Sequence, residues 1–529
     1  MKDDLLHVDA MLTDLYQLTM AYAYWKSDKH EEEAVFDLFF RKCPFNGEFA
    51  IVAGIEQFLT FVENFGYNDE EIEVLKRLMP NADSGFWEWI SKVDASQLRI
   101  MAMTEGSVVF ARVPQIYVRG PLGVGQLLET TSLNLMNYPT LIATQAARLR
   151  MAAGENKTLI EMGLRRAQGP NGALSGALYS YIGGFDFTSN VKAFEVFGIP
   201  AKGTHAHSFV TAFTGLDEVA DCQLKTRAIH YRQEMLRLFN LDGTNDGELA
   251  AFIAYALAYP DTFLALVDTY DTLKSGVPNF LVVSLALVEM GHKPFGIRLD
   301  SGDLAYLSKE SRKMFWACYH HFIRSGIDLK KLMFPCNLAI AASNDINEKT
   351  LHALNAQGHE IDTFGIGTHN ITCQAQPALG GVFKLVEING KPRIKLSENR
   401  EKVTIPGAKI AFRLYDDRNV PVVDVMCLEN QDEDSLPKVG KPITCHHPYD
   451  PYKKMTVTPS RIEKLHMLVW DGKRLIPNWS PISAKIHCQT QLKNMRPDHL
   501  RHVNPTPYKV ALSKELYDMM HDLWQKEVG

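Results

Sequence analysis

The sequence predicts an α/β fold whose strands run parallel, and three observations carry that expectation. Six short apolar runs, at residues 158–161, 194–199, 263–267, 295–299, 338–342 and 363–366, have the length and composition of buried strands. Helical or loop segments separate them, as βαβ units require. Polar residues gather just after several of these runs, and in α/β barrels the active site lies at the carboxyl ends of the strands. The runs at 338–342 and 363–366 therefore read as part of one face of a barrel. Between the strands, residues 248–258 and 277–290 read as helices. The second is apolar enough to be covered in a large core, and both are too short to span a bilayer.

With 529 residues, 46% of them hydrophobic, the chain can bury a large core and is long enough for two or three domains, the barrel taking roughly the middle half. At the amino end, residues 12–22 resemble an amphipathic helix capped by Thr13 or Asp14. From Val382 onward, turn-rich alternating segments replace the βα pattern, punctuated by Pro392, Pro406, Pro421, Pro437 and Pro442 and by an acidic loop at 429–434. That part reads as a β-rich or mixed module. A net charge of −6 and the absence of a long Lys/Arg run argue against nucleic acid, so any phosphate recognised belongs to a small molecule. The opening Met1-Lys2-Asp3-Asp4-Leu5 has no signal-peptide core, and eight cysteines without close pairs point to reduced thiols, no disulfides and a cytoplasmic setting. Cys445-His446-His447 with a distant Cys488 lacks the twice-repeated short spacing of a structural zinc site, so no zinc is expected.

Chemistry concentrates in a few segments. Gly203-Thr204-His205-Ala206-His207-Ser208 sets a histidine and hydroxyls where a strand hands over to a loop, and a neutral imidazole there can accept a phosphoryl group. Ile297-Arg298-Leu299-Asp300-Ser301-Gly302-Asp303 ends a strand in two carboxylates around a Ser-Gly turn. This suits Mg²⁺ or ribose hydroxyls, with Arg298 as an anion clamp; the alternative is a turn in which Asp300 caps the following helix. Asp268 and Asp271 follow the run at 263–267, and Ser343-Asn344-Asp345 follows 338–342. Gly365-Ile366-Gly367-Thr368 offers glycines that let backbone N–H groups approach a phosphate, although Gly-x-Gly-Thr is also a common turn.

Taken together, Thr13-Asp14-x-Tyr16-x-x-Thr19-Met20, Gly163-Leu164-Arg165-Arg166-Ala167-Gln168-Gly169, Gly203-Thr204-x-Ala206-His207-Ser208, the 298–303 turn and Gly365-x-Gly367-Thr368 resemble the nicotinate phosphoribosyltransferases, a type II phosphoribosyltransferase family, over roughly residues 10–370. The resemblance implies an N-terminal α/β domain (1–145) packed on an irregular α/β barrel carrying the active site (146–380), with a C-terminal mixed, β-rich extension (381–529). It implies a ligase-type enzyme of NAD biosynthesis, by the Preiss-Handler salvage route. Nicotinate and phosphoribosyl pyrophosphate would become nicotinate mononucleotide and pyrophosphate, with coupled ATP hydrolysis through a phosphohistidine, Mg²⁺ (or Mn²⁺), and a homodimer with a shared active site.

Carried over residue by residue, the resemblance makes His207 the phosphohistidine, with Asp268 orienting it. Tyr16 would stack on the pyridine, at the neighbouring subunit's site. Arg298 and Thr204 would hold the nicotinate carboxylate; Gly365, Gly367 and Thr368 the 5′-phosphate; and Arg165 or Arg166 phosphate or pyrophosphate oxygens. Asp300 and Asp303 would serve ribose hydroxyls and the metal with the substrate's pyrophosphate. His205 stands where an apolar or small residue is expected, and reads as a partly exposed loop residue without chemistry. A nicotinamide enzyme would want an acid near Phe187-Thr188-Ser189-Asn190, which is uncharged, although Asp186 lies close by. A phosphoribosyl-binding protein without catalysis would need neither the acids nor the histidine.

Overall fold

A computed structural model describes residues 8–323, 334, 338–399 and 402–528; the acidic opening at 1–5 lies outside them. The chain forms two compact units. One comprises residues 1–147, 169–184 and 373–529, the other 148–168 and 185–372. Three successive domains were expected, and the physical reason for two is strand pairing. Gly381–Ile388 and Met467–Asp471, both from the carboxyl third, hydrogen-bond in register to Glu33–Phe40 and Arg99–Ala102 from the amino third.

The unit containing 185–372 holds the parallel sheet. Its strands are β1 (Thr158–Glu161), β2 (Phe187–Thr188), β3 (Leu264–Leu266), β4 (Gly296–Leu299), β5 (Ala339–Ala342) and β6 (Thr363–Ile366). They lie in the order β2-β1-β6-β5-β4-β3, and every pairing is parallel. Among the described residues β2 and β3 are the two edges of this sheet, and from β3 to β6 and on through β1 to β2 neighbours in the sheet include the successive pairs of the chain. The apolar runs form strands because they are flanked by helices that cover them: Val277–Glu289 is buried along nearly its whole length. Close approach between neighbours needs Gly296, whose φ is 159° and where a Cβ would lie 2.0 Å from the Ala339 carbonyl oxygen.

One expected strand is not a strand. Residues Val191–Phe197 form a helix, because the Asn190 side chain accepts from the Lys192 and Ala193 N–H groups and so caps it, while Gly198, in the left-handed region, ends it. Strand pairing resumes beyond it, where Ala201 bridges Thr188 in parallel. The expected amino-terminal helix spans Leu15–Lys26 with Asp14 at its N-cap position, though the cap side chain bonds elsewhere. No described helix is long and apolar enough to cross a membrane.

The other unit contains two six-stranded sheets, the second made by the carboxyl-terminal region. Its keystone is Arg413. The guanidinium forms a two-pronged ion pair with Asp424 (2.8 Å on each prong) and also donates to Gln491 and to the Val108 carbonyl, while the Tyr508 hydroxyl donates to Asp424. Arg413 and Asp424 are 1% and 0% exposed. Removing one partner strands the other charge out of water. Arg413→Ala is therefore expected to lower the unfolding free energy by about 3–5 kcal/mol in urea titrations followed by circular dichroism, whereas Arg418→Ala, which breaks an exposed pair with Asp416, should cost less than about 1 kcal/mol.

Candidate active site

The polar residues expected at the carboxyl ends of the strands are found there, within the unit that holds the parallel sheet. Asp268 follows β3, Arg298 lies in β4 with Asp300 just beyond it, Ser343 follows β5, and Gly367 and Thr368 follow β6. His207 opens a short helix, His207–Thr211, and its ring is wedged among them. Its Nδ1 is 3.2 Å from the Thr269 hydroxyl, and its Nε2 is 3.5 Å from Asp300 Oδ2 and 3.9 Å from Asp268 Oδ1. The ring is 42% exposed, while the Asp268 side chain is 3% exposed. An accessible imidazole thus sits over one buried and one partly buried carboxylate.

Hydroxyls hold the acids in place. Ser301 Oγ donates to Asp268 Oδ2 and Ser343 Oγ to Asp300 Oδ1, both at 2.6 Å. Asp268 Oδ1 is buried without a hydrogen-bond partner. Arg298 Nη1 donates to Thr204 Oγ1 at 2.6 Å, and its buried Nε has no protein partner. Burial pushes the Arg298 guanidinium below its ordinary value, with Asp300 and Asp268 opposing that shift. Asp303, and not Asp300, caps the helix Leu304–Phe322, its Oδ1 accepting from the Tyr306 N–H at 3.0 Å.

The remaining residues divide between two duties. Arg165 and Arg166 lie exposed on the turn Leu164–Arg166 after β1. Gly365 lies inside β6, where a Cβ would come 2.6 Å from Met162 Sδ and 3.1 Å from Ser343 Cβ, so its missing side chain serves strand packing. Gly367 and Thr368 lie at the strand's end and the start of the helix Thr368–Ile371. Tyr16, 45% exposed, belongs to the other compact unit. Asp186 is engaged: its Oδ2 takes Arg150 and the Leu159 N–H.

Sequence reasoning missed Glu161, Thr269 and Ser343 as supports and misread His205. Glu161, 1% exposed at the end of β1, accepts from the Gly163 N–H and from Thr188 Oγ1, which fixes the turn carrying both arginines; burial raises its carboxyl above the ordinary range. The signal was a lone acid closing an apolar run, Thr158-Leu159-Ile160-Glu161. His205 is not a partly exposed loop residue. It is buried, 8% exposed, against Tyr255 and Phe209, and its Nε2 accepts from the Leu266 N–H at 3.2 Å. Burial pushes its pKa down to about 4.

Behind the 267–271 loop, Glu248 Oε2 accepts from Ser275 Oγ at 2.5 Å and from Asn279 Nδ2 at 3.0 Å. Burial, reinforced by Asp268 and Asp271, raises the Glu248 pKa from 4.5 to about 7. The folded state therefore holds this proton more tightly than the unfolded state, and the stability it contributes, complete below the unfolded value, is lost as pH rises from about 4.5 to 7. Measured against Glu248→Gln, the wild-type advantage in unfolding free energy should shrink across that window, by on the order of 3 kcal/mol. A difference that stays flat with pH would show the carboxyl to be ionised throughout.

Residues 11–137 match the nicotinate phosphoribosyltransferase N-terminal domain, 158–429 the nicotinate phosphoribosyltransferase family and 408–520 its C-terminal domain. A Dictyostelium discoideum nicotinate phosphoribosyltransferase is 50% identical, covering 98% of this chain and 89% of its own length, and Arabidopsis thaliana nicotinate phosphoribosyltransferase 1 is 50% identical over 98% and 94%. The crystal structure of human nicotinic acid phosphoribosyltransferase, 39% identical, superposes with a TM-score of 0.84 over 97% of this chain and 100% of that one. With its strand-end acids, arginine and histidine set on this scaffold, the chain belongs to the nicotinate phosphoribosyltransferase family.

Proposed function

We propose that the protein transfers the phosphoribosyl group of phosphoribosyl pyrophosphate to the ring nitrogen of nicotinate, giving nicotinate mononucleotide and pyrophosphate for NAD biosynthesis, with ATP hydrolysis coupled to the transfer. The observation that carries this reading is Arg298, a partly buried cation with one nitrogen on Thr204 and a buried Nε that no protein group satisfies. A ligand carboxylate supplies the missing acceptor, and nicotinate carries one where nicotinamide does not. Asp186, the acid that would favour the amide, is held by Arg150 and Leu159.

The pyridine nitrogen carries its own lone pair, so the nucleophile needs no general base, and catalysis reduces to positioning and charge stabilisation of an oxocarbenium-like ribose. Asp300 engages ribose hydroxyls. Gly367 and Thr368, at the end of β6 where Gly365 packs the strand, cradle the 5′-phosphate, and Arg165 or Arg166 clamps phosphate oxygens. Carboxylates supply the hard oxygen ligands that Mg²⁺ or Mn²⁺ takes, and Asp268 Oδ1, buried without a hydrogen-bond partner, is an oxygen with capacity to spare. Asp300 and Asp303 would hold the ion with the substrate's pyrophosphate, where it neutralises the leaving group.

His207 is the proposed acceptor of the ATP γ-phosphoryl group: an N–P bond forms as the bond to ADP breaks, and water later cleaves the phosphohistidine. Asp268 and Thr269 orient the ring for this. The exposed Tyr16 is proposed to stack on nicotinate in a neighbouring subunit, which makes the assembly a homodimer with shared sites. The unpaired cysteine pattern supports a cytoplasmic setting.

Product formation from phosphoribosyl pyrophosphate and Mg²⁺, with nicotinate or nicotinamide and with or without ATP, tests the reading. Nicotinate mononucleotide raised by ATP is expected; product from nicotinamide alone would overturn the carboxylate clamp, and no product from either would leave a binding protein. Arg298→Ala should raise the nicotinate KM about 10- to 150-fold, the equivalent of a charge-assisted hydrogen bond of about 1.5–3 kcal/mol. His207→Ala should abolish the ATP stimulation.

A further inference from the structure

We propose that His205 is a positioning residue, a neutral imidazole that staples the Thr204–His207 segment to β3 and thereby sets both the carboxylate clamp and the phosphoryl-accepting histidine. The argument starts from β3. Backbone groups of a strand alternate in direction, and the Val267 N–H donates across to the Arg298 carbonyl of β4. The Leu266 N–H therefore points the other way, toward the segment that follows the Thr188–Ala201 bridge. Leu266 is 0% exposed. The link observed here is a side-chain one, from that N–H to His205 Nε2 at 3.2 Å.

This bond fixes the chemistry of the ring. An N–H donor demands a lone pair on Nε2, so the proton of the neutral imidazole resides on Nδ1, which faces the Ala206 carbonyl at 3.5 Å. Phe209, Tyr255 and Phe252 surround the ring with centroids 5.4, 4.8 and 6.3 Å away, so it sits in an apolar socket. Its neighbours in sequence point elsewhere. Thr204 meets Arg298, and His207 meets Thr269, Asp268 and Asp300. Three consecutive attachments, to β4, to β3 and to the loop after β3, leave the segment one register. Pinning position 205 in the wall is what presents 204 and 207 to the site.

The inference rests on the proposed reaction for its substrates, and the experiment separates the two. In the full-length enzyme, His205→Leu keeps an apolar side chain but removes the acceptor, while His205→Gln places a carbonyl oxygen at about the reach of Nε2. Expected for the leucine variant is a nicotinate KM raised about fivefold or more and an ATP stimulation reduced to match, with the phosphoribosyl pyrophosphate KM held; about fivefold is one hydrogen bond of about 1 kcal/mol. A smaller folded fraction would lower kcat alone and leave both KM values in place. The glutamine variant should restore both quantities. Leucine kinetics equal to wild type, or a folded glutamine variant as impaired as leucine, would overturn the proposal. Histidine ¹⁵N spectra of the wild-type protein, assigned with the His205→Gln variant, test the same bond without any assay. They should show a neutral Nδ1–H tautomer, and an Nε2–H tautomer or a charged ring at pH 7 would equally overturn it. A wild-type enzyme inactive on nicotinate would sink the functional reading while the spectra still decide the staple.

Discussion

The site is built around a buried anion. Asp268 ends β3 with a side chain that is 3% exposed, and a carboxylate taken out of water is costly unless hydrogen bonds and opposite charge compensate it. Ser301 supplies the first, Arg298 from the neighbouring strand the second, and the His207 ring lies at its open side. Ser301 and Arg298 come from the end of β4 and His207 from the segment after 203, so burying the acid in this way brings β3, β4 and the 203–207 segment together. The same arrangement leaves one oxygen of Asp268 and one nitrogen of Arg298 unmatched by protein. A core made for stability alone would have satisfied both, and the unmatched pair is where ligand charge would be taken up on the proposed reading.

How much of this was legible in the sequence follows from what each signal depends on. Strands β1, β4, β5 and β6 were visible because continuous apolar runs bounded by polar residues are what a covered parallel strand demands. Residues 194–199 failed for the reason apolar runs often do. Over so short a stretch composition cannot separate strand from helix, and the deciding signal was the Asn190 cap just upstream. Asp300, Arg298 and His207 stood out in the sequence as polar groups in one chemical setting, and the structure brings the three together. Asp303 was one case where the structural use is evident, since its carboxylate caps a helix. His205 was read wrongly because nothing local announces a partner sixty residues away; only the direction of the Leu266 N–H does. The pairing between Gly381–Ile388 and Glu33–Phe40 was not legible for a similar reason, being a long-range fact that turn content and composition do not encode.

Two kinds of support hold the chemistry. Glu161 and Ser343 act directly on the polar groups, one fixing the arginine turn and the other Asp300. Glycines act by absence: Gly296 lets β4 and β5 approach, and Gly365 makes room for Met162 and Ser343, so that the strand ends converge closely enough for their side chains to meet. A Gly-x-Gly-Thr motif therefore does two jobs along four residues, packing at its first position and presenting backbone and hydroxyl at its last.

The charge arrangement also bears on why ATP would be used at all. His207 stands 3.5 and 3.9 Å from two carboxylates, a setting that repels any anion placed on the ring. A phosphoryl group on His207 adds about 1.5–2 negative charges at that point. The phosphorylated ring is then favoured only when cationic charge gathers beside Asp300 and Asp268, and by linkage the phosphorylated ring favours that cationic charge to the same degree. On the proposed reaction, divalent-ion occupancy, the substrate's pyrophosphate and the state of His207 would in this way be bound into one equilibrium. On the proposed reaction, hydrolysis of the N–P bond would remove that charge from the ring, withdraw the favour and loosen the hold on the released pyrophosphate. The coupling needs no distant conformational relay. It would follow from placing the proposed phosphoryl acceptor 3.5 and 3.9 Å from the two acids.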